Sequence, residues 1–379
     1  MSRLSLPLAG FLVVGGAAHA LPTMVRLGYP NCVSCHISPQ GGGLLNAYGR
    51  GIDEAQSFSE TEYKPPEGGL ARTLSWGGRI TQDFRMVSLE QVSTGTNQPV
   101  LGRFRSRLMY RNATELGRGF RVSAIFMGEN EHTPRPSTPY ERPVRPGDVY
   151  VNTALVHYRP RDGLEFAAGR DLLPGGILTS DLSPFIRSRN RRGYYDTPTQ
   201  VKMFWWGKRY QVSPFAYGPS DGEPAGERES GGGALAEFDV LGNQKTILGV
   251  SLLRGTAVNG NRRMIGAYTR LGFGQWGILA EHDITDREVD RPAPASFRQH
   301  ASFVQVFWYP REWLVVSLIG EHLSVGRPYR EHLNAVKIEV AARLTPNLTI
   351  GINTRGQRNM LTGAWAPSVG VQLAMKTVN

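Results

Sequence analysis

The only two cysteines among the 379 residues stand in one pentapeptide, Cys32-Val33-Ser34-Cys35-His36. Two thiols at this spacing can each form a thioether to a haem vinyl group, and the histidine that follows can reach the iron as proximal ligand. Cys32 and Cys35 are therefore the candidate attachment residues of one covalent haem c, and His36 is the candidate metal ligand. The spacing alone also serves a redox dithiol, half of a zinc site or a disulfide. Zinc would need further ligands nearby, and no second cysteine pair exists. A thioredoxin-like dithiol should open a helix beside a βαβ unit, which the sequence does not show. The adjacent His36 favours haem. For the sixth iron position the chain offers Met24, Met86, Met127 and His132. A methionine there would raise the reduction potential and a second histidine would lower it. No nucleophile elbow, HExxH, phosphate loop or carboxylate pair stands in a recognisable frame, so any enzyme activity would be redox chemistry at the haem.

Export comes first among the elements that must position such a group. Met1-Ser2-Arg3 precedes an apolar run from Leu4 to Ala18 that ends in Ala18-His19-Ala20. This is the pattern of a secretory signal peptide over residues 1–20. No other stretch approaches a membrane helix in length. Export suits a haem that is attached outside the cytoplasm. The net charge of +11 is carried by arginines at alternate positions rather than in basic runs. Together with export, this argues against nucleic acid as a partner. It points instead to a cationic pore lining or to anionic lipid headgroups.

Residues 21–71 are loop-rich, with a helix expected around Leu44 to Ala55 on the shared face of Leu44, Leu45, Tyr48 and Ile52. So short a stretch cannot bury a core alone. Over residues 72–379 the texture changes to segments of alternating apolar and polar residues separated by turn-rich breaks, the signature of a membrane β-barrel. Strands are expected near 73–90, 100–112, 118–130, 148–158, 163–171, 199–208, 210–218, 232–241, 245–256, 262–274, 276–286, 299–309, 313–325, 333–344, 347–358 and 363–377. That makes sixteen, an even number, as an all-β, transmembrane, antiparallel up-and-down barrel requires. Breaks such as Gly274-Gln275 and Pro346-Asn347 read as periplasmic turns, while 131–147, 172–198, 219–231, 287–298 and 326–332 read as external loops. Trp76, Tyr158, Trp205, Trp206, Tyr217, Trp276, Trp308, Tyr309, Trp313 and Trp365 lie near strand ends, where interfacial girdles belong.

The run Pro30-Asn31-Cys32-Val33-Ser34-Cys35-His36, followed by Pro39, Gly41-Gly42-Gly43, Asn46 and Tyr48-Gly49-Arg50, resembles the fused cytochrome–porin family. Its best-known branch comprises monohaem iron-oxidising outer-membrane cytochromes. The resemblance implies a small N-terminal haem segment that plugs or caps an outer-membrane barrel in a Gram-negative bacterium. It assigns Cys32 and Cys35 to the thioethers and His36 to the iron. It also implies electron passage between a periplasmic redox protein and an extracellular donor or acceptor.

The face expected to line the lumen carries both signs of charge: Asp83 and Arg85, Arg103, Arg105 and Arg107, Glu281 and Asp283, Lys337, Glu339 and Arg343. Pairing across strands accounts for most of them. The loop from Phe185 to Tyr195 holds four arginines, and the sequence leaves open whether it folds inward as a constriction or outward to bind a surface polymer. Two functions follow as expectations. One is a conduit for single electrons; since a hydrocarbon layer of roughly 30 Å exceeds one efficient tunnelling step, its haem must lie inside the lumen. The other is a porin for small anionic solutes in which the haem segment is a structural or sensory plug.

Overall fold

The computed structural model describes residues 22–59, 79–93, 101–130, 149–179, 184–193, 196–219, 228–290 and 294–376. The expected signal peptide, His132 and Trp76 lie outside these residues.

Alternation of apolar and polar residues commits a chain to strands with one face in each environment, and sixteen strands form. They are β1 Ile80–Ser93, β2 Leu101–Gly117, β3 Phe120–Glu129, β4 Val149–Arg161, β5 Leu164–Arg170, β6 Thr199–Trp206, β7 Tyr210–Tyr217 and β8 Ser230–Asp239. There follow β9 Thr246–Ala257, β10 Gly260–Phe273, β11 Trp276–Val289, β12 Ala295–Arg311, β13 Leu314–Val325, β14 Glu331–Thr345, β15 Leu348–Asn359 and β16 Trp365–Lys376. Each pairs antiparallel with its sequence neighbours, and β1 closes on β16 from Arg85↔Lys376 to Ser93↔Ser368. All sixteen expected strands are present. The break expected at 287–298 is shorter than read, because the ladder runs on through Arg287↔Phe297 to Val289↔Ala295.

Inside and outside follow the parity. Phe104, Leu108, Val250, Ile338 and Ile352 are about half exposed on the outer wall, where lipid replaces water. Asp83, Arg111, Arg270, Asp283 and Lys337 are buried on the inner wall. A barrel inverts the usual soluble pattern, so its polar residues are the buried ones. At the short-turn end an aromatic girdle forms from the stacked pairs Trp276–Trp308 and Phe120–Tyr158, with ring centroids 5.2 and 4.5 Å apart, and from Trp205 against Tyr210. Tyr217 and Tyr309 are not part of it. Both are buried on the inner wall, as their parity in β7 and β12 requires. Trp206 likewise packs with the inward-facing Leu155 and Phe204.

Two elements fill the lumen. The first is the N-terminal segment, with 3₁₀ turns at Pro22–Leu27 and Cys32–Ser34 and one helix, α1, Ala47–Ala55. The second is the segment between β5 and β6, which carries a single helical turn, α2, Phe185–Ser188. The arginine-bearing loop therefore folds inward. Ile186, Arg187 and Arg192 are each 2% exposed or less. Arg192 pairs with Glu281 at 2.9 Å and with Asp283, while Arg187 donates to the carbonyls of Gly175 and Ile177. Burial and the neighbouring Arg192 push Arg187 down to about 10, still cationic at neutral pH. Phe185, Ile186 and Ile177 join Phe303, Phe307, Ile319 and Leu323 in the largest apolar cluster, which binds this loop to β12 and β13.

Candidate functional site

The N-terminal segment has little apolar surface with which to hold itself together, and the barrel wall does it by another means. Inward-facing cations donate to its backbone carbonyls. Arg270 reaches Pro30 O at 2.8 Å, Arg121 reaches Ile37 O at 2.9 Å and Arg111 reaches Gly43 O at 2.6 Å. Lys202 donates to Gln40 Oε1 at 2.6 Å. Each of these cations is also held by a wall carboxylate: Glu237 for Arg270, Glu165 for Arg121, Asp83 for Arg111 and Asp171 for Lys202. The wall thus presents pre-oriented donors, and the segment supplies acceptors that would otherwise be buried without partners. At the short-turn end Arg26 pairs with Glu312, and Thr23 Oγ1 lies 2.9 Å from the Tyr309 hydroxyl. The segment leaves the lumen where Phe58 and Ser59 donate from their backbone to Arg343 O and Leu344 O, with Phe58 edge-on against Trp313.

Helix α1 begins at Ala47 rather than Leu44. Asn46 caps it by accepting from Gly49 N at 2.8 Å, and Leu45 before it bridges to His36. The expected apolar face is not the buried one. Tyr48 is 53% exposed, and the buried helix residues are Gly49 and Asp53. The reason is the polar wall: Asp53 meets Arg343 at 3.1 Å and also Lys376. Burial opposes ionisation of Asp53, but Arg343, Lys376 and Arg85 outweigh it and hold the carboxyl below its usual range. A carboxylate whose folded value is depressed stabilises above its free value, near pH 4, and that contribution is lost as the pH falls further. Conductance should therefore rise on acidification below about pH 4 in the wild type. An Asp53→Asn variant should already show the leakier state at neutral pH, read in planar bilayers.

Gly49 carries the close approach that seats α1 beneath the cysteines. A Cβ there would lie 2.2 Å from Cys35 O, a backbone atom. Gly49→Ala should destabilise the docked segment by about 1–3 kcal/mol, the usual cost of overpacking. Limited proteolysis would then cut within residues 22–59 while the barrel stays resistant.

Cys32, Cys35 and His36 come together in the lumen. Cys35 and His36 are 7% and 6% exposed, and both thiols are free. Burial pushes the Cys32 thiol up to about 11 and raises that of Cys35. Neither has the acidity of a reactive dithiol. Among the described residues, no three His, Cys, Asp or Glu side chains are grouped so as to hold a metal ion. All three residues line a cavity of about 80 Å³ with Met24, Leu173, Ile177, Leu178, Phe204 and Arg270. His36 also borders a second cavity of about 190 Å³, walled by Leu44, Met109, Ile125, Met127 and Leu155, with Arg85, Arg111 and Lys376 among its polar lining. The two share His36, Gln40, Gly41, Gly42 and Leu178. Gly41 stands where a Cβ would come within 2.8 Å of Cys32 Sγ, so a bare glycine keeps room beside that thiol. The donor set fits a covalent haem: two thiols and one imidazole side by side, apolar walls, and cations on two sides for carboxylates.

Of the expected distal ligands, Met24 and Met127 line these cavities. Met86 does not. It pairs with Leu108 and Met375 and shares their outward parity, because Asp83 and Arg85 face inward on β1. The inner loop forms the opposite wall through Leu173, Ile177 and Leu178, so residues from 171–193 complete the site. Sequence reasoning did not assign them; three adjacent small or apolar residues, Pro174-Gly175-Gly176, were the available signal.

No protein-family model and no curated relative matches the sequence. Solved structures do match in fold. The chain is similar to the anion-selective porin of Comamonas acidovorans, at 12% identity and a TM-score of 0.57 over 79% of this chain and 99% of that one. It is also similar to OprB of Pseudomonas putida, at 10% identity and 0.58 over 81% and 96%. A third likeness is to outer-membrane-expressed OmpT of Vibrio cholerae, at 9% identity and 0.57 over 83% and 100%. At such identities the likeness is one of architecture: this chain folds as a porin-like barrel of the Gram-negative outer membrane.

Proposed function

We propose that this barrel carries one covalent haem c within its lumen and exchanges single electrons between a periplasmic redox protein and an extracellular donor or acceptor, iron among them. The observation that carries the reading is that Cys32, Cys35 and His36 line an internal cavity rather than an exposed cap. In this reading Cys32 and Cys35 would hold the haem through thioethers and His36 would ligate its iron, while Met24 and Met127 line the adjoining cavities. When bound, the haem provides a one-electron Fe(III)/Fe(II) couple. The protein's own residues exclude water with Leu173, Ile177 and Phe204. The resemblance of residues 30–50 to the cytochrome–porin family supports the same assignment. Purified protein should give a pyridine haemochrome spectrum that survives acid–acetone extraction. Its reduced form should be reoxidised by a soluble ferric chelate. A colourless, folded protein expressed beside an intact haem-attachment system would overturn the proposal.

The porin reading has its own observation. The fold matches an anion-selective porin, and the inner wall is rich in arginine. Against an open anion path, Arg111, Arg121 and Arg270 are occupied by backbone carbonyls of the N-terminal segment. A large anion-selective conductance in the wild type, indifferent to the haem, would favour the porin.

A further inference from the structure

Four of the eight histidines of the chain face outward on four successive strands. They are His282 on β11, His300 on β12, His322 on β13 and His332 on β14. Their parity is opposite to that of the buried Glu281, Gln299, Glu321 and Leu333. The register sets them in a checkerboard. One rung runs His282, Ser302, His322, Asn334, and the next runs Ile284, His300, Ser324, His332. Across the diagonals the rings of His282 and His300 are 5.7 Å apart, and those of His322 and His332 are 5.1 Å apart. The ring N–H of His322 donates to Asn334 Oδ1 at 2.7 Å, and His282 Nδ1 lies 2.7 Å from Ser302 Oγ. Both rings are thereby held through Nδ1 to the neighbouring strand.

Height in the membrane follows from the neighbouring rungs. Next toward the short turns come Ala280, Val304, Gly320 and Val336, the upper edge of the apolar belt. Next toward the long loops comes Arg298 on Asp286 at 2.7 Å, both well exposed. The imidazoles therefore sit where the belt meets the outer-leaflet headgroups. A lipid-facing wall is covered by lipid, so the occupant of this patch is a lipid headgroup. Other charges facing it are Arg263 on β10, beside Asp286, and Arg358 on β15, opposite Asn334. Glu288 lies farther toward the loops and is held by Asn261. Among the described residues only Asp286 is an acid next to the patch, and Arg298 already occupies it.

We propose that this histidine patch is an acid-strengthened binding site for the phosphate of an anionic outer-leaflet lipid. Imidazole takes up a proton near pH 6.5. Neutral rings present polar edges to the headgroups. Protonated rings add up to four charges beside Arg263, Arg298 and Arg358, and an anion lodged between diagonal rings relieves their mutual repulsion. Proton and lipid thus bind together, and lipid retention rises as the pH falls. The proposal stands apart from the haem.

The test uses full-length protein in phosphatidylcholine vesicles containing spin-labelled phosphatidylglycerol, whose phosphodiester keeps its charge across the range, with a metal chelator throughout. The fraction of label immobilised, relative to spin-labelled phosphatidylcholine, should rise about threefold from about pH 8 to about pH 5.5. A variant carrying His282→Gln, His300→Gln, His322→Gln and His332→Gln, shown to be folded by its heat-modifiable migration, should lose the rise and keep the value seen at high pH. The proposal is overturned by a wild type without pH dependence or a variant that retains it. It also fails if millimolar inorganic phosphate abolishes the selectivity, which would make the ligand soluble phosphate. Selectivity that appears only on adding zinc without chelator would overturn it in favour of a metal site.

Discussion

An Arg192→Met variant should conduct several-fold more than the wild type and pass cations in preference to anions. Arg192 is almost wholly buried and answers two carboxylates at once, Glu281 and Asp283, which face the lumen from β11. Methionine fills similar space but takes away the cation that pairs directly with both acids. Breaking a buried pair in this way costs about 3–5 kcal/mol, more than the surface ion pair Arg189–Glu331 can offset. The cheapest relief is for the inner loop to withdraw and let water reach the acids. Two further ties, Asn190 to Asp283 at 2.8 Å and the Ile177 amide to Glu281 at 2.8 Å, depend on the same carboxylates, which leaves the loop to its apolar cluster, Arg191 on Glu229 and the Phe185 amide on Glu321. A compensated variant, Arg192→Met with Glu281→Gln and Asp283→Asn, should return conductance most of the way to the wild-type level. Bilayer recordings of the single and compensated variants decide the matter; equal conductance in all three would show that the loop does not limit the pore.

The second large effect belongs to the cysteines. A Cys32→Ala, Cys35→Ala variant should carry no covalent haem and exchange no electrons with a ferric chelate, yet fold and insert normally. The expectation of normal folding rests on how the segment is held. Its anchors run through Pro30 O, Ile37 O, Gly43 O, Gln40 and Asp53, and none uses a thiol. The barrel ladder involves no residue of the segment at all. Haem staining of a denaturing gel and heat-modifiability of the same band check both halves. If the variant instead fails to insert, the thiols serve assembly. If a covalent haem persists, the attachment assignment is wrong.

The barrel was legible because its signal repeats: a parity that fails in one strand is restored in the next. In β2, Arg105, Arg107 and Arg111 against Phe104 and Leu108 already separate lumen from lipid. Misreadings arose where a soluble protein's logic was carried into a polar lumen. The face Leu44, Leu45, Tyr48, Ile52 looks like the buried side of α1, yet the wall offers Arg343 and Lys376, so Asp53 is what docks. Tyr217 and Tyr309 sit near strand ends like girdle residues, but strand parity, not position along the strand, decides their side. The anchoring of the segment was not legible for a different reason. Its acceptors are largely backbone carbonyls, identical in every residue, and the donors lie up to 290 positions away. The one available hint was the surplus of inward cations over inward acids, and several of those cations donate to the chain's own carbonyls.

Lys376 joins two parts of this architecture. It lies on the last strand, opposite Arg85 of the first, and its ammonium grips Asp53 of the N-terminal segment. The residue that zips the seam is therefore also a fastener of the plug. Strain at the seam and release of the plug are thus one event: a change that removes the Lys376 ammonium loosens both.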